Sequence, residues 1–382
     1  MKGENSVKRC CLISLIKSEN YGANLQGYAL YHFIKEHFPT LELVVIDLLR
    51  PGQKGYMSRS RSKESFLNRM RQSISTFVFN VRSLRSYKLR RSRFENFTGN
   101  MNFSKCYHNT DELYADYPIC DIYITGSDQV WCPTREFDLK PYLLTFAKHP
   151  CVKISYAPSM STLSLTQEDA VFFKDELNTF NHVSVREFSD KELLSAVIPS
   201  KNISVVVDPV VLMPPIFWQS MCTPVSKENY LLYYTIGHNE DLLAYAKMYC
   251  RAHGLQLLYF RPTLNSALYS REYYSINDAG PAELLSWINS ANVVITDSYH
   301  GILMSLLLET PFLFHAAQYT SRFDTICKSF DLYSHKISDL STLDGSQNPN
   351  VSKHTRELIE QASNISQDYL LNAIKSSIEI NL

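Results

Sequence analysis

One stretch, Val293–Phe314 (VVITDSYHGILMSLLLETPFLF), limits the fold more than any other part of the chain. It begins with β-branched apolar residues that favour a buried strand, passes through a polar turn at 296–301, and continues as an apolar helix that stops at Pro311. Phe312 begins a second strand, so the pattern predicts a β-turn-α-β unit. Ligands of open α/β sheets bind at the carboxyl ends of strands, beside helix N-termini. The sequence therefore predicts an α/β fold with a binding site at this turn.

The turn itself carries groups that suit an anionic substrate. Ser298 and Gly301 lie where the first N–H groups of a helix lack partners and attract anions. His300 adds an imidazole, which can exchange a proton near neutral pH, and this makes it the candidate catalytic residue. A structural role is the alternative, because Asp297 or Ser298 could simply cap the helix and His300 could be an ordinary turn histidine.

Composition narrows the class of protein. A chain of 382 residues with 45% hydrophobic and 20% charged residues can build two domains of ordinary size. The formal net charge is +0, so no global field favours nucleic acid. The N-terminus lacks the apolar region of a signal peptide, and no apolar run is long enough to span a membrane. These features predict a soluble cytoplasmic protein.

The cysteines show no paired spacing. There are nine of them and no CxxC motif, so we expect reduced thiols rather than a disulfide framework or a zinc site, and we expect no metal or other cofactor. They lie at positions 10, 11, 106, 120, 132, 151, 222, 250 and 327.

The turn after the first predicted strand also has ligand-binding character. Asn20, Gly22 and Asn24 follow the strand Val7–Ile16 and could let backbone N–H groups approach a phosphate or a sugar. A tight β-α turn without a ligand is the alternative. Neither GxGxxG nor a P-loop is present, so a dinucleotide or ATP site lacks its motif.

Two later turns offer hydroxyl, carboxylate and amide groups to a sugar. They follow the predicted strands Asp121–Thr125 and Lys153–Ala157. Asp128 is a candidate for positioning an acceptor hydroxyl or acting as a base. The residues predicted to contact an acceptor sugar are Asn20, Asn24, Ser127, Gln129 and Ser159.

Arginines are the predicted ligands of a donor anion. Arg186 follows the short strand Val183–Val185, where its guanidinium could grip a phosphate or carboxylate through two hydrogen bonds. The alternative is a surface pair with Glu187, which would contribute little. Arg261 and Arg322 are second-rank candidates for the same anion.

A basic segment interrupts the α/β pattern. Residues 59–93 contain eleven Lys or Arg and one acid, Glu64, with apolar residues near helical spacing. We interpret the segment at about 55–97 as a solvated helical insertion. Docking on an anionic membrane surface, where a lipid-linked glycan would be presented, is the alternative. Nucleic acid binding is disfavoured because no aromatic stacking motif accompanies the charges.

The pattern divides the chain into two domains. Residues 1–213 form the predicted N-terminal α/β domain, 214–229 a proline-containing linker, 230–347 the second α/β domain, and 348–382 a linker and terminal helix. Two Rossmann-like domains that face each other across a cleft, with the C-terminal helix crossing back onto the first, give a GT-B-like arrangement.

Six motifs resemble those of the polysaccharide pyruvyl transferase family, in the family's order. The resemblance covers roughly 14–330, although Ala23 stands where an acid is common and Tyr299 where Phe or Leu is common. Asp208, in the fifth motif, could be only a turn starter. The motifs are NYGANLQGYAL, GSDQVW, SYAPS, SVRE, DPVVL and TDSYHG.

The resemblance implies transfer of pyruvate from phosphoenolpyruvate to a sugar diol of a polysaccharide precursor, which forms a pyruvyl ketal. It places the protein in capsule, exopolysaccharide or cell-wall polymer synthesis, at the inner face of the membrane if the acceptor is lipid-linked. His300 would donate a proton, while Arg186 and the backbone at Gly301 would hold the donor. A nucleotide-sugar glycosyltransferase and a non-catalytic glycan-binding protein remain alternatives, because the fold cannot separate them.

Overall fold

The computed structural model describes residues 7–57, 81–134, 136–237, 239–260, 274–316, 320–343 and 347–379. Apolar runs form the strands; all four residues of Val293–Thr296, for example, are buried. The strands are β1 (Arg9–Ile13), β2 (Glu42–Leu48), β3 (Phe103–Tyr107), β4 (Ile122–Thr125), β5 (Val152–Ser155), β6 (Val183–Val185), β7 (Ile203–Val205), β8 (Tyr230–Tyr234), β9 (Gln256–Phe260), β10 (Tyr274–Ile276), β11 (Val293–Thr296) and β12 (Phe312–Phe314).

The helices lie mostly between consecutive strands. They are α1 (Tyr21–His37), α2 (Val81–Phe97), α3 (Thr110–Ala115), α4 (Gln167–Leu177), α5 (Phe188–Val197), α6 (Pro215–Gln219), α7 (Glu240–His253), α8 (Pro281–Asn289), α9 (Tyr299–Leu307), α10 (Thr320–Phe330) and α11 (Lys353–Glu379). Short 3-10 turns occur at Lys140–Leu143, Pro209–Leu212 and Tyr333–His335.

The strands form two parallel sheets of five strands with the same topology. The first has the order β3-β2-β1-β4-β5 and the second β10-β9-β8-β11-β12, while β6 and β7 pair beside the first. This is the Rossmann order, in which the chain direction across the sheet reverses between the first and fourth strands. In the two sheets that reversal lies between β1 and β4 and between β8 and β11. The predicted α/β fold with two Rossmann-like halves is confirmed.

Helix α11 returns to the first half, as predicted. The Tyr369 hydroxyl donates to the carbonyl of Ser155 at 3.1 Å, and the Ser363 hydroxyl donates to the carbonyl of Val211 at 2.7 Å. Leu370 of this helix belongs to the largest apolar core, which also contains residues of β1 and β8. One core therefore joins the two sheets and the terminal helix.

The basic insertion is described only in part. Its residues 58–80 lie outside the described residues, and the remainder includes α2. Arg93 of this helix forms ion pairs with Asp278 at 3.4 Å and Glu283 at 3.0 Å in the second half. The helical part of the insertion thus bridges the two halves. The predicted linker 214–229 contains α6, and the domain boundaries remain a proposal.

One disulfide corrects the expectation of reduced thiols. Cys11 and Cys120 are joined, with their Cα atoms 6.1 Å apart. Cys11 lies in β1 and Cys120 just precedes β4, the neighbouring strand. Because 109 residues separate them, only the strand order brings them together, and spacing along the chain could not reveal the pair. Seven other cysteines are free thiols.

Within the described ranges, no helix combines the length and the apolar character needed to cross a membrane.

Candidate active site

The turns at the two reversal points face one another across a cleft of about 760 Å³. Those after β1 and β4 come from the first half, and those after β8 and β11 from the second. The shared topology explains the meeting, because each sheet presents its carboxyl-end crevice to the other. Six of the predicted site residues line this cleft: Asn20, Asp128, Gln129, Ser298, His300 and Arg322.

The N-terminus of α9 opens into the cleft. Ser298 caps the helix, because its hydroxyl accepts the N–H of Gly301 at 3.2 Å. The Gly301 N–H is therefore not available to an anion. The backbone N–H groups of Tyr299 and His300 have no acceptor among the described residues, so these two are the anion-binding groups that the helix start offers.

The His300 imidazole lies against the first turn of α1, in the other half of the protein. A Cβ added to Gly22 would lie 2.1 Å from Nδ1 of His300, closer than any side chain could approach. Asn20 caps α1 by accepting the N–H of Ala23 at 3.1 Å. Two helix N-termini, one from each half, thus converge on this imidazole.

Asp208 is the carboxylate next to His300. Its Oδ2 lies 3.3 Å from Nε2 of His300, an ion-pair distance without hydrogen-bond alignment, and the same oxygen accepts Nη1 of Arg186 at 2.8 Å. Burial alone would raise the pKa of the Asp208 carboxyl, but His300 and Arg186 hold the pKa below its ordinary value. An ionised carboxylate therefore faces the imidazole and can stabilise a positive charge on it.

Arg186 lies behind the cleft. Its side chain is 2% exposed; Nε donates to Glu187 at 2.9 Å, and the guanidinium stacks on the Tyr299 ring at 4.5 Å. Burial would lower the pKa of Arg186, but Glu187 and Asp208 keep the pKa well above its ordinary value. Only Nη2 has no partner among the described residues. Since carboxylates already balance its charge, direct donor binding by Arg186 stays a prediction that the geometry does not favour.

Two other arginines do line the cleft. Arg322, of α10, was a second-rank prediction; burial and the charge of Arg186 lower the pKa of its guanidinium. Arg50 follows β2 and donates from Nη2 to the carbonyl of Ile16 at 3.1 Å. Sequence reasoning missed Arg50, although its place directly after a buried strand was an available signal. Arg261, the remaining predicted anion ligand, lies outside the described residues.

Asp128 and Gln129 hold polar groups at the cleft surface opposite α9. Asp128 has φ +70°, in the left-handed region, and its carbonyl accepts the N–H of Ser159 at 2.8 Å. Its carboxylate lies 3.9 Å from Nη1 of Arg186. Gln129 donates from Nε2 to the hydroxyl of Ser161 at 2.7 Å. The left-handed backbone conformation costs free energy for any residue other than glycine, and residues held in it often mark functional sites.

Three predicted acceptor residues do not line the cleft. The Ser127 hydroxyl donates to the carbonyl of Ala157 at 2.6 Å, and the Ser159 hydroxyl lies 3.0 Å from that of Ser161. Both serines are fully buried, so the geometry supports a role in holding the turns. Asn24 lies in a neighbouring cavity. Acceptor contact by Ser127 and Ser159 stays a prediction without geometric support.

Sequence reasoning placed Asp208 in the fifth family motif, gave a turn starter as its structural alternative, and assigned it no role in the site. Its carboxylate does accept the N–H of Val210 at 3.2 Å, as such a turn requires. The same side chain also reaches His300, which is the role that the sequence could not assign. The signal was present in part, because Asp208 ends a strand as Arg186 does.

Two Rossmann-like domains that share a charged cleft define a GT-B-like fold. The chain belongs to the polysaccharide pyruvyl transferase family, whose model matches residues 20–316. The family is one of transferases. The matched region contains all the predicted site residues except Arg322. No curated protein matches the chain.

Solved structures are similar in fold. A glycosyltransferase involved in avilamycin A biosynthesis aligns with a TM-score of 0.50 at 11% identity, over 98% of this chain and 99% of that chain. The UDP-GlcNAc 2-epimerase from Neisseria meningitidis, bound to UDP-GlcNAc, aligns with a TM-score of 0.47 at 11% identity, over 98% and 94%. At 11% identity, the likeness to the avilamycin A glycosyltransferase shows the fold alone.

Proposed function

We propose that the protein transfers pyruvate from phosphoenolpyruvate to two hydroxyls of a sugar in a polysaccharide precursor and so forms a pyruvyl ketal. The observation that carries the proposal is the position of His300. Its imidazole lies beside the ionised Asp208, at the start of a helix, in a cleft that Arg322 and Arg50 also line. Family membership supports the same reaction class.

The donor is an anion at both ends, and the cleft offers matching groups. Phosphoenolpyruvate carries a phosphate and a carboxylate. The N–H groups of Tyr299 and His300, with the guanidinium groups of Arg322 and Arg50, would hold them. Arg186 would act indirectly, since it fixes Asp208 and stacks on Tyr299.

The proposed reaction begins with a proton transfer. His300, as imidazolium, would protonate the methylene carbon of phosphoenolpyruvate and leave an oxocarbenium-like centre at the adjacent carbon. A sugar hydroxyl attacks that carbon, phosphate leaves with its bridging oxygen, and a second hydroxyl closes the ketal. Of the two hydroxyl protons, one replaces the proton that His300 gave, and the other leaves with phosphate. Asp128 would position an attacking hydroxyl or accept its proton. The reaction so written uses no cofactor.

The acceptor would be a glycan or a lipid-linked saccharide. Peripheral membrane contact through 59–93 stays a prediction, because most of that segment lies outside the described residues. The proposal gives the basic segment no part in the chemistry.

The test is thermal stability with and without phosphoenolpyruvate, beside UDP- and GDP-sugars. A ligand at about one hundred times its dissociation constant should add about 2.7 kcal/mol of apparent stability. We expect a shift with phosphoenolpyruvate that Arg322→Ala abolishes. Arg322 is a better probe than Arg186, whose removal would leave buried carboxylates without their counter-charge.

The matched control is Arg356→Ala, which removes an arginine of α11 that pairs at 3.5 Å with Glu309, away from the cleft lining. It should keep the full shift. A shift with a nucleotide sugar only would replace the proposal with the glycosyltransferase alternative. Once binding of phosphoenolpyruvate is established, phosphate release in the presence of a glycan acceptor tests the transfer step. His300→Gln should abolish this release.

A further inference from the structure

A second cavity of about 910 Å³ opens beside the cleft, and we call it the side cavity. It lies between the turn after β1, the loop after β2, and α2. Ser18 and Glu19 line both the side cavity and the cleft, so the two spaces are adjacent. A molecule with several sugar units that reacts in the cleft could therefore place a neighbouring unit in the side cavity.

Two residues that line the side cavity each have a buried polar atom with no hydrogen-bond partner among the described residues. These atoms are Oδ1 of Asn24 and Oγ of Ser18. Asn24 is 1% exposed. A buried polar atom left without a partner costs about 1–3 kcal/mol, so such atoms in a native protein call for an explanation. A ligand that supplies hydrogen bonds here is that explanation.

The chemistry of Asn24 defines which ligand fits. Its Nδ2 donates to the carbonyls of Ser18 at 2.6 Å and Asn20 at 2.7 Å. Two carbonyl neighbours require the nitrogen on that side, so the orientation of the amide is fixed and the atom without a partner is an acceptor. It needs a donor. An ionised phosphate or carboxylate has none to give, whereas a hydroxyl has.

The charges of the side cavity also point to a neutral ligand. Lys17 pairs with Asp47 at 2.6 Å, and Arg91 pairs with Glu95 at 2.9 Å. Glu19 and Lys54 supply one further charge of each sign to the lining. Because positive and negative groups balance, the space has no net attraction for an anion. The rings of Phe94, Phe103 and Tyr87 add apolar surface, which suits the C–H face of a sugar.

We propose that the side cavity is a saccharide subsite that binds a neutral sugar of the acceptor, next to the sugar that receives pyruvate. Hydroxyls of this sugar donate to Oδ1 of Asn24 and exchange hydrogen bonds with Oγ of Ser18. The proposal rests on the proposed function, since it assigns a second part of the same acceptor. It also gives Asn24 its predicted contact with the acceptor, through the side cavity rather than the cleft.

The experiment measures binding of four neutral disaccharides, cellobiose, maltose, lactose and N,N′-diacetylchitobiose, by saturation-transfer NMR and calorimetry. The wild type is compared with Ser18→Ala and Asn24→Ala. At least one disaccharide should bind the wild type, and each variant should weaken it about five- to tenfold, the effect of one hydrogen bond. Ser334→Ala, an exposed serine in the second half, should leave the affinity unchanged.

The outcomes separate this proposal from the proposed function. Asn24→Ala also removes two hydrogen bonds of the turn, so its folding is checked by circular dichroism. Ser18→Ala breaks no side-chain hydrogen bond among the described residues and carries the test alone if the other variant unfolds. Absence of binding to the wild type, unchanged binding in the folded variants, or competition by inorganic phosphate would each overturn the subsite. Failure of phosphoenolpyruvate to bind would overturn the donor assignment and leave the disaccharide result standing.

Discussion

His300 takes its position from residues that are distant in sequence. Gly22 provides the surface on which the imidazole lies, and Asp208 provides the carboxylate at 3.3 Å. The sequence predicted the histidine and the glycine-containing turn as separate ligand-binding features. Their mutual contact follows from the packing of one half on the other, which no local pattern encodes.

We expect Gly22→Ala to displace the imidazole while the protein stays folded. The new Cβ would overlap Nδ1 and Cγ of His300, and a side chain at the cleft surface can move aside more easily than backbone can. Alanine is also the better helix former by about 0.5–1 kcal/mol, which opposes the cost of displacement. Phosphoenolpyruvate affinity should fall about tenfold, equivalent to about 1.4 kcal/mol. Titration calorimetry measures it.

Gly237→Ala is the matched control, because a Cβ there meets nothing within 4 Å. It should retain wild-type affinity. Equal affinities for the wild type and Gly22→Ala would show that the imidazole of His300 does not contact the bound donor.

Asp297 predicts a pH dependence of stability. Burial raises the pKa of its carboxyl, although the N–H of Ile236, at 2.9 Å from Oδ1, lowers it in part. A raised folded pKa means that stability is full below the unfolded pKa, near 3.9, and falls as pH rises through the folded pKa. Asp297→Asn keeps an acceptor for Ile236 and carries no charge. It should be more stable than the wild type at pH 7 and similar in stability at pH 4.

Denaturant unfolding at the two pH values measures this difference. The exposed Asp175→Asn serves as control and should show the same small difference at both. A stability difference between Asp297→Asn and the wild type that does not change with pH would show that the carboxyl titrates normally.

The arginines show how far residue-level prediction reaches. Arg186 was placed correctly at a strand end. Whether its guanidinium can bind an anion, however, depends on the carboxylates that surround it. Glu187 is adjacent in sequence and was weighed as a partner; Asp208 was not, because it belongs to another strand-end turn. Charge balance in a buried site is a property of the assembled turns, so it could not be read from one of them.

At the scale of elements, the strand-turn-helix units were predictable and their partners were not. Apolar runs followed by polar turns predicted β1, β4, β8 and β11, together with the helices after β1, β8 and β11. The basic helix α2 was predicted as a solvated insertion, yet Arg93 bridges to Asp278 and Glu283 of the second half. An amphipathic pattern indicates that a helix has a buried face, but it does not identify what covers that face.

Helix α11 fastens to the first half through single hydrogen bonds that can be tested. In Tyr369→Phe the hydroxyl that donates to Ser155 is lost, while that carbonyl still accepts from Ser184 at 2.7 Å. Because no buried acceptor is left unpaired, the free energy of unfolding should fall by only about 1 kcal/mol. Urea denaturation measures it.

The control for this element is Tyr333→Phe, whose ring is 59% exposed in a 3-10 turn. Its free energy of unfolding should change by less than about 0.5 kcal/mol. If both variants lose the same stability, the contact between Tyr369 and Ser155 does not fasten the helix.

At the scale of the molecule, the two halves share one core. The largest apolar cluster contains Leu12 of the first sheet, Leu232 of the second and Leu370 of α11. We therefore expect a single cooperative unfolding transition for the whole chain, with equal calorimetric and van't Hoff enthalpies. Differential scanning calorimetry gives both values. Two resolved peaks would mean that the halves unfold separately, as the predicted division at 214–229 by itself would suggest.

The contact of His300 with Gly22 has a consequence for hybrid proteins. The imidazole belongs to the second half, whereas the backbone that seats it and the carboxylate that faces it, at Asp208, belong to the first. A chimera that joins the first half of this chain to the second half of a relative inherits a working site only if both sides of that contact match. The two halves therefore cannot be exchanged as independent modules. A hybrid needs the turn at Gly22 together with the residues that orient His300.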